Sequence, residues 1–201
     1  MRSLPKLTAR PAGTPHKRRF SLRPQKIPLR RHLTRASVAL IYRQREDGRQ
    51  DLLFIQRAHR AGDPWSGDMA FPGGRMQPDD SSPRAAAERE TLEETGIDLA
   101  RHGRFRARLS DLITRHHSRW RPMIVTPYVY EWSGPQTMTL NHEVENTVWV
   151  PMDYLAASEN QGTLTWSTPL GALHLPCCRY QGYCIWGLSY SMLQELLKQS
   201  K

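Results

Sequence analysis

Between Phe71 and Ile97 the chain reads FPGGRMQPDDSSPRAAAERETLEETGI, and that punctuation admits few folds. An apolar stretch, DMAFPGG, runs into two glycines; Ser81 or Ser82 can cap a helix, Pro83 suits its first turn, and Gly96 stops it. The segment predicts a short strand, a tight loop and a helix over about 83–95. On that helix Glu90, Glu93 and Glu94 stand at i, i+3 and i+4, so three carboxylates share one face. They repel one another, and the carbonyl end of the helix disfavours them further. Arg89, four residues before Glu93, can neutralise and orient one of them. The rest call for another cation. Hard carboxylate oxygens suit Mg²⁺ or Mn²⁺, and Mg²⁺ typically joins one or two carboxylates to substrate phosphates. Adjacent glycines let a backbone approach a phosphate closely. A bare Glu-Glu pair would be a solvated helix face; preceded by Gly73-Gly74 and joined by Glu90, it points to phosphate chemistry.

Gly74, Asp80, Arg89, Glu90, Glu93, Glu94, Gly96 and Ile97 together resemble the signature of Nudix hydrolases. Asp80 stands where that signature usually has glutamate, and Thr91 fills a usually apolar position. One residue more than the commonest family spacing separates Gly74 from Arg89. The expansion is similar to that of the subgroup that includes coenzyme A pyrophosphatases, whose leader is matched by Leu52, Leu53, Arg57, Ala58, Gly67 and Phe71 to Gly74. The second arginine of that leader falls at Asp63.

The resemblance implies an α/β/α sandwich built on a mixed sheet. It implies a Mg²⁺- or Mn²⁺-dependent pyrophosphohydrolase acting on a nucleoside diphosphate derivative, coenzyme A or its thioesters first, with adenosine 3′,5′-bisphosphate and 4′-phosphopantetheine as products. A broader nucleotide diphosphatase, acting on ADP-ribose, dinucleotides or damaged nucleotides, an RNA 5′-end pyrophosphohydrolase and a nucleotide-binding module without turnover are the alternatives. On this reading Glu90 and Glu94 ligate the metal directly, and Glu93 completes the shell or serves as the base. Glu143 and Glu145, which alternate onto one side of a strand, are the other candidates for the base. Arg89 holds a glutamate in place, Arg57 binds a substrate phosphate, and Gly73 and Gly74 shape the loop beneath the diphosphate. Trp65 is a candidate for stacking on a ring, whereas Trp149 and Trp186 sit in apolar contexts and read as core.

Charge divides the chain. Residues 1–35 hold eleven Lys or Arg and no Asp or Glu, so they carry +11 of a total of +10 and leave −1 for the remainder. Prolines at 5, 11, 15, 24 and 28 argue against a continuous helix there. The organisation expected is a flexible basic extension over 1–35 and a catalytic domain over 36–201. The extension suits a polyanion, either RNA or the substrate itself, and homodimerisation stays open. No apolar run approaches about 18 residues, so no membrane span is expected. Cys177, Cys178 and Cys184 lack paired metal-ligand spacing and read as reduced residues of a cytoplasmic protein; a mitochondrial matrix location is the alternative if 1–35 is a presequence.

Periodicity supplies the remaining elements. ASVALIYRQ and DLLFIQR read as strands joined by a turn at Asp47-Gly48, and PMIVTPYVYEW and NTVWVPM as later strands. MDYLAAS suggests a short helix and GALHLPCCRYQGYCIWG a strand, a turn and a strand. The chain closes in an amphipathic helix with Leu188, Met192, Leu193, Leu196 and Leu197 on its apolar side.

Overall fold

Ala39, Leu40, Ile41 and Tyr42 are consecutive and all buried, which a strand permits only when both of its faces are covered. A computed structural model describes residues 24–28, 32–63, 65–116, 119–135, 137–168 and 171–199. In it those four residues lie on β1 (Thr34–Gln44), inside a mixed sheet of eight strands among the described residues. The turn at Asp47-Gly48, with Gly48 at φ 80°, returns the chain into β2 (Gln50–Arg57), antiparallel to β1. On its other side β1 runs parallel to β7 (Arg119–Trp132), from Thr34 opposite Met123 to Arg43 opposite Trp132. The short β3 (Met69–Ala70) flanks β2, and β4 (Gly73–Arg75) pairs with the start of β1. β5 (Gly103–Arg108) and β6 (Leu112–His116) both pair with β7, and β8 (Val144–Pro151) pairs with β2. A second, antiparallel sheet holds β9 (Gln161–Thr168), β10 (Gly171–Tyr180) and β11 (Tyr183–Trp186).

Alternation along the strands separates two cores. Leu40, Tyr42, Leu52, Phe54 and Val129 face one way and meet Met192, Leu193 and Leu196 of α4 (Gly187–Gln199). Ala39, Ile41, Leu53 and Tyr130 face the other way, toward Ala87 of α1 (Pro83–Thr95) and Leu99 of α2 (Leu99–His102). Helix, sheet and helix are thus layered as expected, with α3 (Met152–Ala156) following β8. Leu188 and Leu197 of α4 are only partly buried, at the margin of its apolar side.

Local rules explain α1. Ser82 caps it by accepting the Ala85 N–H at 3.1 Å, Pro83 opens it, and Gly96 ends it at φ 74°. Thr91, at a position usually apolar, is fully buried because its Oγ1 donates to the Ala87 carbonyl at 2.7 Å and leaves no polar hydrogen unmatched.

Of the basic segment 1–35, only 24–28 and 32–35 fall within the described residues. β1 already begins at Thr34. The Gln25 N–H donates to Ser110 Oγ at 3.0 Å, the Ile27 N–H to Asp111 Oδ2 at 3.1 Å, and the Gln25 carbonyl accepts from the Asp111 N–H. Those residues therefore lie against the corner before β6. No helix among the described residues is long and apolar enough to cross a membrane.

Candidate active site

The carboxylates of α1 meet the glycine loop because β4, which carries both glycines, is hydrogen-bonded to β1 directly beside the helix. Glu94 is 5% exposed, and its Oε2 accepts the Gly73 N–H at 2.9 Å. Glu90 packs onto Gly74 so closely that a Cβ there would lie 2.5 Å from the Glu90 carboxyl carbon. Only glycine at 74 leaves that carboxylate where it is.

Arg89 organises the other carboxylates. Its Nε and one terminal nitrogen donate to the two oxygens of Asp80 at 2.9 and 3.0 Å. The second terminal nitrogen reaches Glu90 Oε1 at 3.0 Å and Glu93 Oε2 at 3.1 Å. The Arg89–Glu93 pair expected from spacing is therefore one arm of a larger fork. Hydrogen bonds from Arg89 hold the Asp80 carboxyl below the ordinary carboxylate range, and Asp80, more than any other partner, raises the guanidinium. The shorter aspartate serves because the loop after Gln77, whose N–H it also accepts at 2.7 Å, folds it against the helix.

Burial dominates the electrostatics. It pushes the Glu94 carboxyl up to about 8, with further upward contributions from Glu90 and Glu143; the Gly73 N–H and Arg57 offset part of the shift. Burial also raises Glu90, against the pull of Arg89. Carboxylates that disfavour one another's ionisation are an arrangement a hard divalent cation relieves. Among the described residues no three His, Cys, Asp or Glu side chains already converge on one point. Arg89 draws Glu93 aside, and Glu143 is paired with Arg60 at 3.0 Å.

Of the other two candidates only Glu145 lies on β8; Glu143 stands in the turn before it, so the two do not share a strand face as expected, and Glu143 acts electrostatically on both Glu90 and Glu94. Glu145 pairs with His59 Nδ1 at 2.9 Å. Arg57, at the end of β2, pairs with Asp63 at 2.7 Å, so the residue that replaces the leader's second arginine holds its first. The buried Arg57 Nε has no hydrogen-bond partner among the described residues.

The NUDIX domain family profile matches residues 33–167, about two thirds of the chain. The chain belongs to the Nudix domain family. A curated relative, "Uncharacterized protein C14C4.10c" of Schizosaccharomyces pombe, is 36% identical over 113 residues, covering 55% of this chain and 34% of that protein. The chain thus spans about a third of that relative's length. Among solved structures, a Caenorhabditis elegans Ap4A hydrolase in a binary complex is similar, with a TM-score of 0.52 and 21% identity, covering 63% of this chain and 89% of that one. A MutT/nudix family protein from Enterococcus faecalis has a TM-score of 0.54 and 17% identity, covering 87% of this chain and 63% of that one. At these identities the likeness concerns the fold.

Nudix hydrolases generally use divalent metal ions, typically Mg²⁺ or Mn²⁺, and the hard, mutually repelling donors of α1 fit such an ion. Beside this Nudix site opens a cavity of about 720 Å³, with Arg57, Trp65, Asp68, Arg75, Trp166 and Trp186 in its wall. The expectation that Trp186 is core is corrected here. It ends β11 at the cavity, where its indole N–H donates to Asp68 Oδ1 at 3.1 Å. Trp149 does pack against the core on the α1 side, with the Arg43 guanidinium 4.4 Å over its ring.

The arginine fork makes a separable prediction. Arg89→Met is expected to lower kcat by about 10- to 100-fold, the usual cost of removing an orienting partner from a ligand shell. It should also lower Tm, because Asp80 is left with its side chain 5% exposed and without its cation. The double variant Arg89→Met, Asp80→Leu should recover Tm and leave kcat depressed, measured by thermal unfolding and steady-state turnover.

Proposed function

We propose that this Nudix chain hydrolyses the diphosphate linkage of a nucleoside diphosphate derivative, with coenzyme A and its thioesters as the preferred class. The observation that carries the proposal is the pairing of a buried Glu94 with the Gly73 N–H while Glu90 packs on Gly74. These contacts hold two carboxylates against the glycine backbone, which suits a doubly charged linkage and its counterion. The coenzyme A assignment is supported by the leader from Leu52 to Gly74, which runs along β2 and β3 into that loop.

In this reading Glu90 and Glu94 hold the divalent ion. The ion, when bound, withdraws charge from the phosphate oxygens and acidifies a water. Glu93 is half exposed and tethered at one oxygen by Arg89, which leaves it suited to take a proton from the attacking water. Glu143, near the same carboxylates, is the second choice for that role, ahead of Glu145. Arg57 offers its guanidinium to a phosphate oxygen. Attack on one phosphorus breaks its bond to the bridging oxygen and leaves a phosphomonoester on each half of the substrate. For coenzyme A these are adenosine 3′,5′-bisphosphate and 4′-phosphopantetheine.

Turnover of coenzyme A, ADP-ribose, NADH, 8-oxo-dGTP and 5′-triphosphorylated RNA with Mg²⁺ or Mn²⁺ tests the assignment. Coenzyme A is expected to exceed the others in kcat/KM. A different leading substrate would keep the diphosphate chemistry and overturn the coenzyme A assignment. Silence across the panel with both metals would leave a binding module.

A further inference from the structure

The residues past the family match build something of their own. Leu175, Pro176, Trp186 and the first turn of α4 lie beyond residue 167, and they wall one side of the 720 Å³ cavity. Arg57 of β2, Asp68 just before β3 and Arg75 of β4 line the same cavity. A space of this size suits a nucleoside rather than a water cluster.

Its wall combines aromatic rings with charged groups, Trp166 and Trp186 with Arg57, Asp68 and Arg75. Trp166, on β9, keeps 45% of its surface exposed although it faces a cavity and not a core. Its ring stands nearly perpendicular to that of Trp186, at 71° and 5.3 Å between centroids. Two indoles set in that way offer a flat ring one face to stack on and one edge to meet. Asp68 adds direction. Its Oδ1 accepts from Trp186, while Oδ2 has no hydrogen-bond partner among the described residues. Burial raises the Asp68 carboxyl, against the pull of the Trp186 N–H and of Arg57. Arg57 lines the same cavity and acts electrostatically on Glu94, so cavity and carboxylates adjoin.

Resting on the reading of this chain as a nucleotide diphosphate hydrolase, we infer that the half-exposed Trp166 stacks the base of the substrate while Trp186 meets its edge, and that Asp68 selects a base bearing an exocyclic amino group. The amino hydrogen donates to Oδ2, the base lies on the Trp166 indole, and the 5′-phosphate end points past Arg57 toward Glu90 and Glu94. The C-terminal sheet is then the specificity element of the chain.

The test uses the whole 201-residue chain in EDTA and ligands without a diphosphate, so that turnover plays no part. AMP, IMP, ribose 5-phosphate and n-octyl phosphate are titrated by tryptophan fluorescence and calorimetry. AMP should quench the fluorescence and bind about tenfold more tightly than ribose 5-phosphate, in keeping with the usual contribution of one base stacking on an aromatic ring. AMP should also bind more tightly than IMP, which carries an oxo group in place of the amino group. Trp166→Ala, at a half-exposed position, should abolish the advantage over ribose 5-phosphate. Asp68→Asn keeps an acceptor for Trp186, presents an amide, and should reverse the preference toward IMP. Equal binding of AMP and ribose 5-phosphate would overturn the inference. So would n-octyl phosphate binding more tightly than AMP, since the cavity would then take an apolar arm. Failure of the hydrolase reading is distinguishable: the base preference would persist in a protein that cleaves nothing in the panel.

Discussion

Glu94→Gln should inactivate the protein and stabilise it at the same time. Glutamine keeps an acceptor for the Gly73 N–H but brings no charge to hold a divalent ion, and kcat is expected to fall by about 10²–10³, the scale of losing one preorganised electrostatic contact. Stability should move the other way. Burial pushes the folded Glu94 carboxyl up to about 8 from an ordinary value of 4.5. A raised pKa means the folded state holds the proton more tightly. The contribution to stability is therefore fully present below 4.5 and is lost as pH rises through 8. At pH 8.5 without metal the wild type should carry a penalty on the order of a few kcal/mol that the glutamine variant escapes. For a chain of this size that is a Tm gain of about 5–10 °C. Near pH 4.5 the gain should shrink, and Mn²⁺ at pH 8.5 should stabilise the wild type alone. A variant that loses both activity and Tm would make Glu94 a structural residue.

Gly73→Ala should do the opposite, unfolding the site by removing its floor. Gly73 sits at φ 145°, and a Cβ would collide with the Ser37 carbonyl and stand 2.5 Å from Val38 Cα. Those obstacles are backbone atoms of β1, so nothing can swing aside. The backbone strain together with the lost pairing of β4 on β1 should cost about 3 kcal/mol, or a Tm lower by about 6–12 °C. Gly74→Ala is the control. Its Cβ would press on the end of a flexible side chain, Glu90. Tm should hold within about 2–4 °C, while turnover falls with the displaced carboxylate. Equal thermal losses in the two variants would show that β4 tolerates neither residue and would remove the distinction drawn here.

What could be read from the residues alone was local. Ser82, Pro83 and Gly96 mark the ends of α1, and alternation marked the long buried strands. The face shared by Glu90, Glu93 and Glu94 follows from helical geometry. The fork through Asp80 did not follow, because it depends on how the loop from Gln77 to Ser82 folds against the helix. The approach of Glu143 to α1 was likewise hidden. It depends on β8 pairing with β2, which brings Val144 opposite Arg57 across the fold. β5 and β9 escaped notice because GRFRAR and QGTLTWST set only a few apolar residues among polar ones, none of them fully buried among the described residues. The apolar side of β5 is no more than Phe105 and Ala107, too short a pattern to mark a strand. With β9 unseen, the cavity behind Trp166 was unseen too.

The parallel ladder between β1 and β7 has a temporal consequence. Thr34 finds its partner only at Met123, far along the chain, and closing so large a loop makes such pairing slow. On a ribosome adding roughly 5–20 residues per second, α1 emerges seconds before β7. During that interval one edge of β1 stays open, and the glycine loop rests on a strand held by β2 alone. The acidic helix can form early, whereas the place where it meets Gly73 is completed late in folding.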